Sequence, residues 1–380
     1  MILELNEDQK MIRDSARDFA EKYVAPIARK LDETEEFPVD LIKQAGEMGF
    51  MGVAIPEEYG GSGMDYVSYV LMMEEISRHC ASTGVILSVN NSLVCDPLLK
   101  YGTEDQKQKF LKPLAMGEKV GCYGLTEANS GSDCGSMKTV AKKDGDGWII
   151  NGSKIFITNG TNADTFIVFT CTDASLGNRG ITAFIIERTM PGVSVLPMHG
   201  KMGIRASGLA ELVFEDVKLT DDYRLGDFNK GFKVAMTTLD AGRIGIAAQA
   251  LGITKGCIVE SVKYSKERAQ FGKTISNFQG IQFMLAEMHA KYDASRLVTL
   301  KAAFLKDSGK NFSLHSSKAK ILAAETATFA SNKAVQIHGG YGYIKEYDVE
   351  RFFRDARITE IYEGTTEIQK LVVSSILIGR

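Results

Sequence analysis

The fold is decided by a stretch near the C-terminus, Ile361-Tyr362-Glu363-Gly364-Thr365-Thr366-Glu367-Ile368-Gln369. Because Gly364, which follows Glu363, has no Cβ, backbone or ligand can approach the Glu363 carboxylate closely. The apolar neighbours Ile361 and Tyr362 are expected to desolvate that carboxylate and raise its pKa, as a general base near neutral pH requires. Thr365 and Thr366 offer an N-cap for a C-terminal helix. Taken alone, the stretch is more typical of an ordinary helix start with a solvated glutamate.

Four further stretches combine hydroxyl, aromatic and glycine residues in a similar way. They are Tyr123-Gly124-Leu125-Thr126-Glu127-Ala128-Asn129-Ser130-Gly131-Ser132-Asp133, Lys154-Ile155-Phe156-Ile157-Thr158-Asn159-Gly160, Arg268-Ala269-Gln270-Phe271-Gly272 and Gln336-Ile337-His338-Gly339-Gly340-Tyr341-Gly342-Tyr343. In order and spacing, the five stretches resemble the signatures of the acyl-CoA dehydrogenases, flavoenzymes that desaturate acyl thioesters. The resemblance covers nearly the full length of the chain, so it implies both a fold and a reaction.

The residue pattern changes twice along the chain. Residues 1–121 read as helices, and the segment 66–78 is apolar nearly all round, so it is expected to be buried. Residues 122–229 contain short runs rich in Ile, Val, Phe and Thr, separated by turn signals such as Asn159-Gly160. From residue 230 to 380, long proline-free helical patterns predict a four-helix bundle.

These patterns predict an α+β fold with three domains. The predicted strands are 148–150, 154–158, 165–172, 180–187 and 210–219. No helix-length pattern separates them, so parallel βαβ units are not expected. We therefore predict an N-terminal α-helical domain over 1–121, a small antiparallel β domain over 122–229 and a C-terminal four-helix bundle over 230–380. The resemblance to acyl-CoA dehydrogenases implies the same order.

Composition and charge exclude several other classes of protein. The net charge of −3 indicates no nucleic-acid binding, and no apolar run approaches the ~20 residues of a membrane span. Six cysteines without a C-x-x-C pair and five scattered histidines predict reduced thiols and no metal site. The stretch from Met1 to Glu7 is acidic and resembles neither a signal nor a transit peptide. We therefore expect a cytoplasmic protein, or a mitochondrial-matrix protein if a targeting segment has been removed.

Three segments have residues suited to a flavin dinucleotide. The loop after Tyr123 supplies clustered hydroxyls and Gly131, which suit a phosphate, although a polar loop between domains explains it equally well. Phe156 offers an aromatic wall for a flavin ring and Thr158 a hydroxyl for its N5, but both are also ordinary strand residues. Arg268 and Gln270-Phe271-Gly272 are predicted to end a long helix, where Arg268 suits a pyrophosphate or else complements the helix dipole.

The resemblance implies that the cofactor is FAD. The residues that it places on FAD are Tyr123, Leu125, Thr126, Gly131, Ser132, Phe156, Ile157, Thr158, Arg268, Gln270, Phe271, Gln279, Gln336, Ile337, His338, Gly339, Gly340, Thr365, Thr366 and Glu367. In the family, the segments around Arg268 and Gln336 reach the FAD of a neighbouring subunit. The resemblance therefore implies a homo-oligomer, which is a tetramer in most members.

The resemblance assigns Glu363 as the catalytic base that removes the α-proton of an acyl thioester. In the family the enolate oxygen is held by the backbone N–H of the base and a ribityl hydroxyl of FAD. The β-hydride passes to flavin N5, the product is a trans-2-enoyl-CoA, and electron-transfer flavoprotein receives the electrons. The residues implied near the substrate are Ser132, Asp240, Arg243, Gln249, Tyr362 and Gly364. Without the resemblance, Asp240 and Arg243 are slightly more typical of a surface ion pair at i, i+3.

The substrate implied by the resemblance is a short acyl-CoA. Gln249 matches a residue that narrows the acyl pocket of short-chain members, and no arginine lies between residues 81 and 91 to hold a dicarboxylic substrate. Butyryl-CoA is the expected substrate, followed by short branched or alicyclic acyl-CoA. A flavin acyl-CoA oxidase on the same fold remains open. A CoA-ester-binding protein without catalysis would lack Glu363, and a purely structural bundle would not need the hydroxyl-rich loop.

Overall fold

The first part of the chain is helical. The structure, a computed structural model, describes residues 4–379, so Met1, Ile2 and Leu3 of the acidic N-terminal stretch lie outside the described residues. The helices of this part are α1 (Glu7–Phe19), α2 (Ala28–Thr34), α3 (Val39–Glu47), α4 (Tyr66–Ser77), α5 (Ala81–Ser88), α6 (Asp96–Tyr101), α7 (Glu104–Gln106) and α8 (Lys112–Ala115). Every residue of α4 is buried, as predicted, because α4 packs against α1 and against the C-terminal helices.

The middle of the chain forms an eight-stranded sheet. Its strands are β1 (Gly121–Gly124), β2 (Val140–Asp144), β3 (Gly147–Ile157), β4 (Thr165–Cys171), β5 (Ile181–Glu187), β6 (Val193–Pro197), β7 (Ala210–Thr220) and β8 (Arg224–Leu225). The order across the sheet is β6-β7-β3-β2-β4-β5-β8, and β1 pairs with β4. Neighbouring strands are antiparallel except for the β1–β4 pair and a single β2–β4 bridge. The β2–β3 hairpin lies in the connection from β1 to β4, so no crossover helix is involved.

One strand prediction for this sheet is wrong. Residues 148–150 and 154–158 were expected as two strands, but 147–157 form the single strand β3. The reason is that Asn151-Gly152 continues the strand and does not form a turn: opposite it, β7 carries the extra residue of a bulge near Asp216, whose φ is +51°. Gly152 has a φ of +139°, and a Cβ there would lie 2.6 Å from the Cα of Thr139, so only glycine fits. The short strands β1, β2, β6 and β8 were not predicted.

The last part of the chain is a helical bundle. Its helices are α9 (Gly231–Glu267), α10 (Gln279–Asp307), α11 (Ser313–His338), α12 (Val349–Ile358) and α13 (Thr366–Ile378). The three long helices pack on one another, and α12 and α13 pack against α11. Residues 359–365 interrupt this last layer of the bundle. Thr365 caps α13 by accepting a hydrogen bond from the N–H of Ile368 at 3.3 Å, as predicted. Between residues 4 and 379, no helix combines the length and apolarity that crossing a membrane requires.

The chain after α9 differs from the prediction that Gln270-Phe271-Gly272 ends the long helix. Helix α9 stops at Glu267, and β9 (Ala269–Gln270) pairs with β10 (Lys273–Thr274) in a tight hairpin. Phe271 and Gly272 form its tip with φ values of 52° and 78°, because a two-residue hairpin turn needs left-handed backbone. The Phe271 side chain is consequently 93 % exposed.

Candidate active site

A cleft forms where the three parts of the chain meet. It encloses about 980 Å³ of space, part of it open to solvent. Its apolar wall is formed by Val85, Val89, Leu93, Met236, Leu239 and Ile368. The loop after β1, the end of β3 and the turn at 362–364 supply the remaining walls. The cleft is therefore apolar on its helical side and rich in hydroxyls on its β-domain side.

Glu363 lies in the break between α12 and α13 and faces this cleft. Its φ is +53° and that of Gly364 is +91°, so the chain makes a tight left-handed turn here. Within residues 4–379, the buried Glu363 Oε2 has no hydrogen-bond partner. A Cβ at position 242 of α9 would lie 3.0 Å from the Glu363 carboxyl carbon and closer still to Oε2. Glycine at position 242 thus leaves the space that the carboxylate occupies.

Burial controls the proton affinity of Glu363. The loss of solvation raises its pKa to about 8, while the positive charges of Lys320 and Arg243 act in the opposite direction. Such a group titrates close to physiological pH, which suits a base that takes up and releases a proton. Of the two apolar neighbours expected to desolvate Glu363, Tyr362 lines the cleft, whereas Ile361 is 45 % exposed and is not among the lining residues.

Two of the predicted substrate residues, Gln249 and Asp240, are not on the cleft wall. Gln249 is fully buried behind Tyr362, whose hydroxyl donates to the Gln249 Oε1. The Gln249 Nε2 donates to a backbone carbonyl at the start of α5 at 2.8 Å. Asp240 accepts a hydrogen bond from Arg243 at 2.5 Å, and that ion pair is largely buried rather than on the surface. Each residue supports one that does line the cleft, Tyr362 or Arg243.

Many of the other predicted residues meet in this cleft. Those lining it are Tyr123, Leu125, Thr126, Gly131, Ser132, Phe156, Ile157, Thr158, Arg243, Tyr362 and Gly364. Phe156 has a φ of +60° and is 59 % exposed, so its ring stands out into the cleft. A Cβ at Gly131 would meet no atom within 4 Å, so the loop is open at that point. An exposed aromatic ring beside hydroxyl and N–H donors fits a flavin, and the residues present therefore fit FAD.

The hydroxyl-rich loop is held by a buried ion pair that sequence analysis missed. Lys154 is fully buried on β3 and donates to Glu127 at 2.7 Å and to the carbonyl of Leu125 at 3.1 Å. Glu127 also accepts hydrogen bonds from two backbone N–H groups, those of Lys138 and Thr139. Burial lowers the pKa of Lys154 to about 8, and the Glu127 charge opposes that shift. Lys154 follows the buried Trp148 by an even number of residues, so on one continuous strand the two side chains lie on the same face. This spacing could have predicted that Lys154 is buried.

A second cleft collects half of the remaining predicted FAD residues at the other end of α9. It is lined by Tyr264, Arg268, Gln270, Ile275, Ile337, His338, Gly339, Gly340, Tyr341 and Ile344. His338 stacks on Tyr264 and forms a hydrogen bond with the Ala334 carbonyl. Arg243 lies on α9 and Arg268 directly follows its last residue, so the two are 25 positions apart, which is ~37 Å at about 1.5 Å per residue. The two clefts therefore lie too far apart for one dinucleotide to occupy both within one chain.

The other six predicted FAD residues line neither cleft. Gln279 begins α10, and Phe271 is the exposed hairpin tip. Gln336 lies on α11, outside the residues that line the second cleft. Thr365, Thr366 and Glu367 line a small polar cleft at the start of α13, together with Arg357 and Glu360.

Comparison with known proteins identifies the family along almost the whole chain. Residues 6–118 match the acyl-CoA dehydrogenase N-terminal domain, residues 122–217 its middle domain and residues 229–378 its C-terminal domain. The short-chain-specific acyl-CoA dehydrogenase of Clostridium acetobutylicum is 51 % identical over 374 residues, which are 98 % of this chain and 99 % of that protein.

Two solved structures are similar over the full length of both chains. A chain from a structure of the electron transferring flavoprotein of Acidaminococcus fermentans, described in connection with flavin-based electron bifurcation, has a TM-score of 0.99 and 49 % identity. Butyryl-CoA dehydrogenase from Megasphaera elsdenii has a TM-score of 0.98 and 46 % identity. In both cases the match covers 100 % of this chain and of the other chain.

Proposed function

Because the chain belongs to the acyl-CoA dehydrogenase family, we propose that it oxidises a short-chain acyl-CoA to the trans-2-enoyl-CoA. The observation that carries this proposal is the buried Glu363 carboxylate, which faces the cleft with Oε2 unpaired among the described residues. An unpaired buried carboxylate is costly for a fold, so its retention indicates a function.

Glu363 is the proposed base. The α C–H bond of the thioester breaks, and the proton passes to Glu363 Oε2 while the electron pair moves toward the thioester oxygen. The N–H of Glu363 donates to no protein group within residues 4–379, so it is available to that developing oxyanion. The apolar wall excludes water from the reacting carbons, and Arg243 contributes a positive charge near the carboxylate.

FAD is the cofactor of this family, and when bound it supplies the acceptor for the β-hydride. The Phe156 ring would form one wall of the flavin site. The hydroxyls of Thr126, Ser132 and Thr158 would donate hydrogen bonds to it. The Glu127–Lys154 pair keeps the loop that carries Thr126 and Ser132 in place.

The active enzyme is proposed to be a homo-oligomer, a tetramer, in which the second cleft of one subunit completes the FAD site of another. The ~37 Å along α9 between Arg243 and Arg268 supports this, because one chain cannot bring both to one dinucleotide. The C-terminal part also exposes large apolar side chains of the kind that mark interfaces. These include Phe271, Phe283, Leu371, Leu377 and Ile378.

A short acyl chain suits the closed end of the cleft. Gln249 bonds both the Tyr362 hydroxyl and the start of α5, and Val85, one turn further along α5, lies on the apolar wall. This bridge joins two walls and limits the depth available to the acyl tail. Butyryl-CoA is therefore the proposed substrate, with short branched or alicyclic acyl-CoA as the alternative.

Electron-transfer flavoprotein is the proposed electron acceptor, supported by the similarity to a chain from the Acidaminococcus fermentans structure. The expected cytoplasmic location also remains a proposal. An oxidase on the same fold would instead pass its electrons to oxygen.

The proposed reaction is tested by anaerobic titration of the purified flavoprotein with acyl-CoA esters of increasing chain length. We expect stoichiometric loss of flavin absorbance, fastest with butyryl-CoA, and a trans-2-enoyl-CoA product. Failure of every acyl-CoA to reduce the flavin would remove the proposed function, whereas a preference for octanoyl-CoA would remove only the short-chain assignment. Reoxidation that is faster with air than with electron-transfer flavoprotein would indicate an oxidase.

A further inference from the structure

A buried lysine on α11 lies behind the catalytic turn. Lys320 is fully buried, and its Nζ donates to the carbonyl oxygen of Gly364 at 2.8 Å. That carbonyl is its one hydrogen-bond partner among residues 4–379. Burial lowers the pKa of Lys320 to about 8, while the negative charge of Glu363 opposes that shift. An ammonium with so few partners is costly to bury, so its position needs an explanation beyond packing.

Gln369 binds the same turn from α13. It is fully buried, and its Nε2 donates to the carbonyl oxygens of Glu363 and Gly364 at 3.2 and 3.1 Å. Both carbonyls of the turn are therefore bound within the protein. The N–H of Glu363, in contrast, has no protein acceptor in the described part of the chain.

The backbone of the turn needs such support. Glu363 has a φ of +53°, a left-handed conformation that non-glycine residues seldom adopt and that surrounding contacts must maintain. Lys320 and Gln369 supply three hydrogen bonds to it from two different helices. If they were lost, the turn could relax and redirect both the carboxylate and the N–H.

The charges around Glu363 single out Lys320. Two nearby cations, Lys320 on α11 and Arg243 on α9, lower the pKa of the Glu363 carboxylate. Arg243 is already paired with Asp240 at 2.5 Å, whereas the Lys320 ammonium bonds only a neutral carbonyl in the described residues. The remaining titratable groups that sense the Glu363 charge are the hydroxyls of Tyr69 on α4, Tyr123 on β1 and Tyr362. These are neutral at physiological pH, because burial raises their pKa values above the ordinary tyrosine value.

We propose that Lys320 and Gln369 are positioning residues: together they fix the turn that aims Glu363 and its N–H at the thioester, and the Lys320 charge stabilises the ionised carboxylate. This inference rests on the proposed role of Glu363 as the base. The two residues have separable effects. Gln369 contributes only hydrogen bonds to the turn, whereas Lys320 contributes a hydrogen bond and a positive charge.

The test compares three variants with the wild-type holoenzyme. Lys320→Met removes the charge and the donor, and Gln369→Leu removes donors alone. Lys318→Met is the matched control, because Lys318 is a more exposed lysine two residues away on α11. Two quantities are measured across pH: the rate of anaerobic flavin reduction by butyryl-CoA, and the infrared carbonyl band of protonated Glu363, assigned by its loss in Glu363→Gln.

The infrared midpoint is the pH at which half of Glu363 is protonated. Lys320→Met is expected to raise this midpoint by about 1–3 units and to shift the rise of the reduction rate with pH by the same amount, so that part of the rate is recovered at alkaline pH. Gln369→Leu is expected to slow reduction by about tenfold or more with an unshifted midpoint, as misplacement of a reacting group does. Lys318→Met should match the wild type in both. An unshifted midpoint in Lys320→Met would overturn the charge role, and a wild-type rate in Gln369→Leu would overturn the positioning role.

The two readouts also separate this inference from the proposed function. If no acyl-CoA reduced the wild-type flavin, the proposed function would fail, but the infrared midpoints would still decide the effect of Lys320. If Lys320→Met did not fold, Lys320→Gln would take its place, because its amide can still donate to the Gly364 carbonyl while the charge is removed. That variant should also raise the midpoint by about 1–3 units, and an unshifted midpoint would overturn the charge role.

Discussion

Replacing Gly242 by alanine tests the packing of the base directly. The added methyl group would lie 3.0 Å from the Glu363 carboxyl carbon and 2.7 Å from Leu93 Cδ2. Ordinary contacts of a Cβ are 3.4–4 Å. The Glu363 carboxyl carbon must therefore retreat by about 0.4–1 Å, and its Oε2 by more, since the methyl group would lie nearest to that oxygen.

The expected consequence is a loss of rate with little loss of stability. A misplacement of about 1 Å at a reacting group costs up to ~10²-fold, so flavin reduction by butyryl-CoA should slow by roughly 10- to 100-fold. Alanine favours the interior of α9 by about 1 kcal/mol over glycine, which offsets part of the ~1–3 kcal/mol cost of overpacking. The unfolding temperature should therefore fall only slightly.

The assay is single-turnover anaerobic reduction of Gly242→Ala, Glu363→Gln and the double variant. Because both changes act on one carboxylate, their effects should not add: Gly242→Ala should slow the wild type far more than it slows Glu363→Gln. Equal fractional effects in the two backgrounds would refute the contact between position 242 and the base. An unchanged rate in Gly242→Ala, with the protein folded and FAD bound, would do so as well.

Three other variants test separate parts of the site. The folded-state pKa of Glu363, about 8, exceeds the ordinary 4.5, so wild type loses stability as pH rises from about 5 through 8. Glu363→Gln should become more stable relative to wild type over that window in thermal unfolding, and parallel pH trends would contradict this. Arg268→Ala should weaken both FAD retention and the oligomer in sedimentation; a monomer with stoichiometric FAD would oppose the shared-site proposal. Gln249→Gly should free the Tyr362 hydroxyl and open room for about two or three methylenes, shifting kcat/KM toward six- to eight-carbon chains by roughly 10- to 100-fold. An unchanged chain-length ratio would discard the role of Gln249 in limiting depth.

Residues with local sequence signals were the ones that could be predicted. The hydroxyl-rich loop, the aromatic end of β3 and the stretch around Glu363 each carry their own pattern, and most of the site residues predicted within them line one cleft. The order of helical, β and helical parts could be read because hydrophobic periodicity is also local. The N-cap at Thr365 belongs to the same class of short-range feature.

Features that depend on distant contacts could not be read in this way. In the sequence, Gly152 resembles a turn residue. In the structure it pairs with β7 and packs against Thr139. Gln249 reaches the cleft only through Tyr362, which is 113 positions away in sequence. Lys320 lies in a helix of small residues, and its contact with Gly364 joins α11 to the break between α12 and α13. Partners of this kind are set by tertiary packing and leave no periodic signal in one sequence.

The most direct test of the account is the anaerobic reduction rate of Glu363→Gln beside that of Glu360→Gln. Glu360 is three residues earlier in the same break between helices and pairs with Arg357. Since general-base catalysis contributes roughly 10²–10⁴-fold, Glu363→Gln should retain FAD and bind butyryl-CoA but lose at least that factor in flavin reduction. Glu360→Gln should react at nearly the wild-type rate. Near-normal reduction by Glu363→Gln would contradict the assignment of the base and, with it, the central claim.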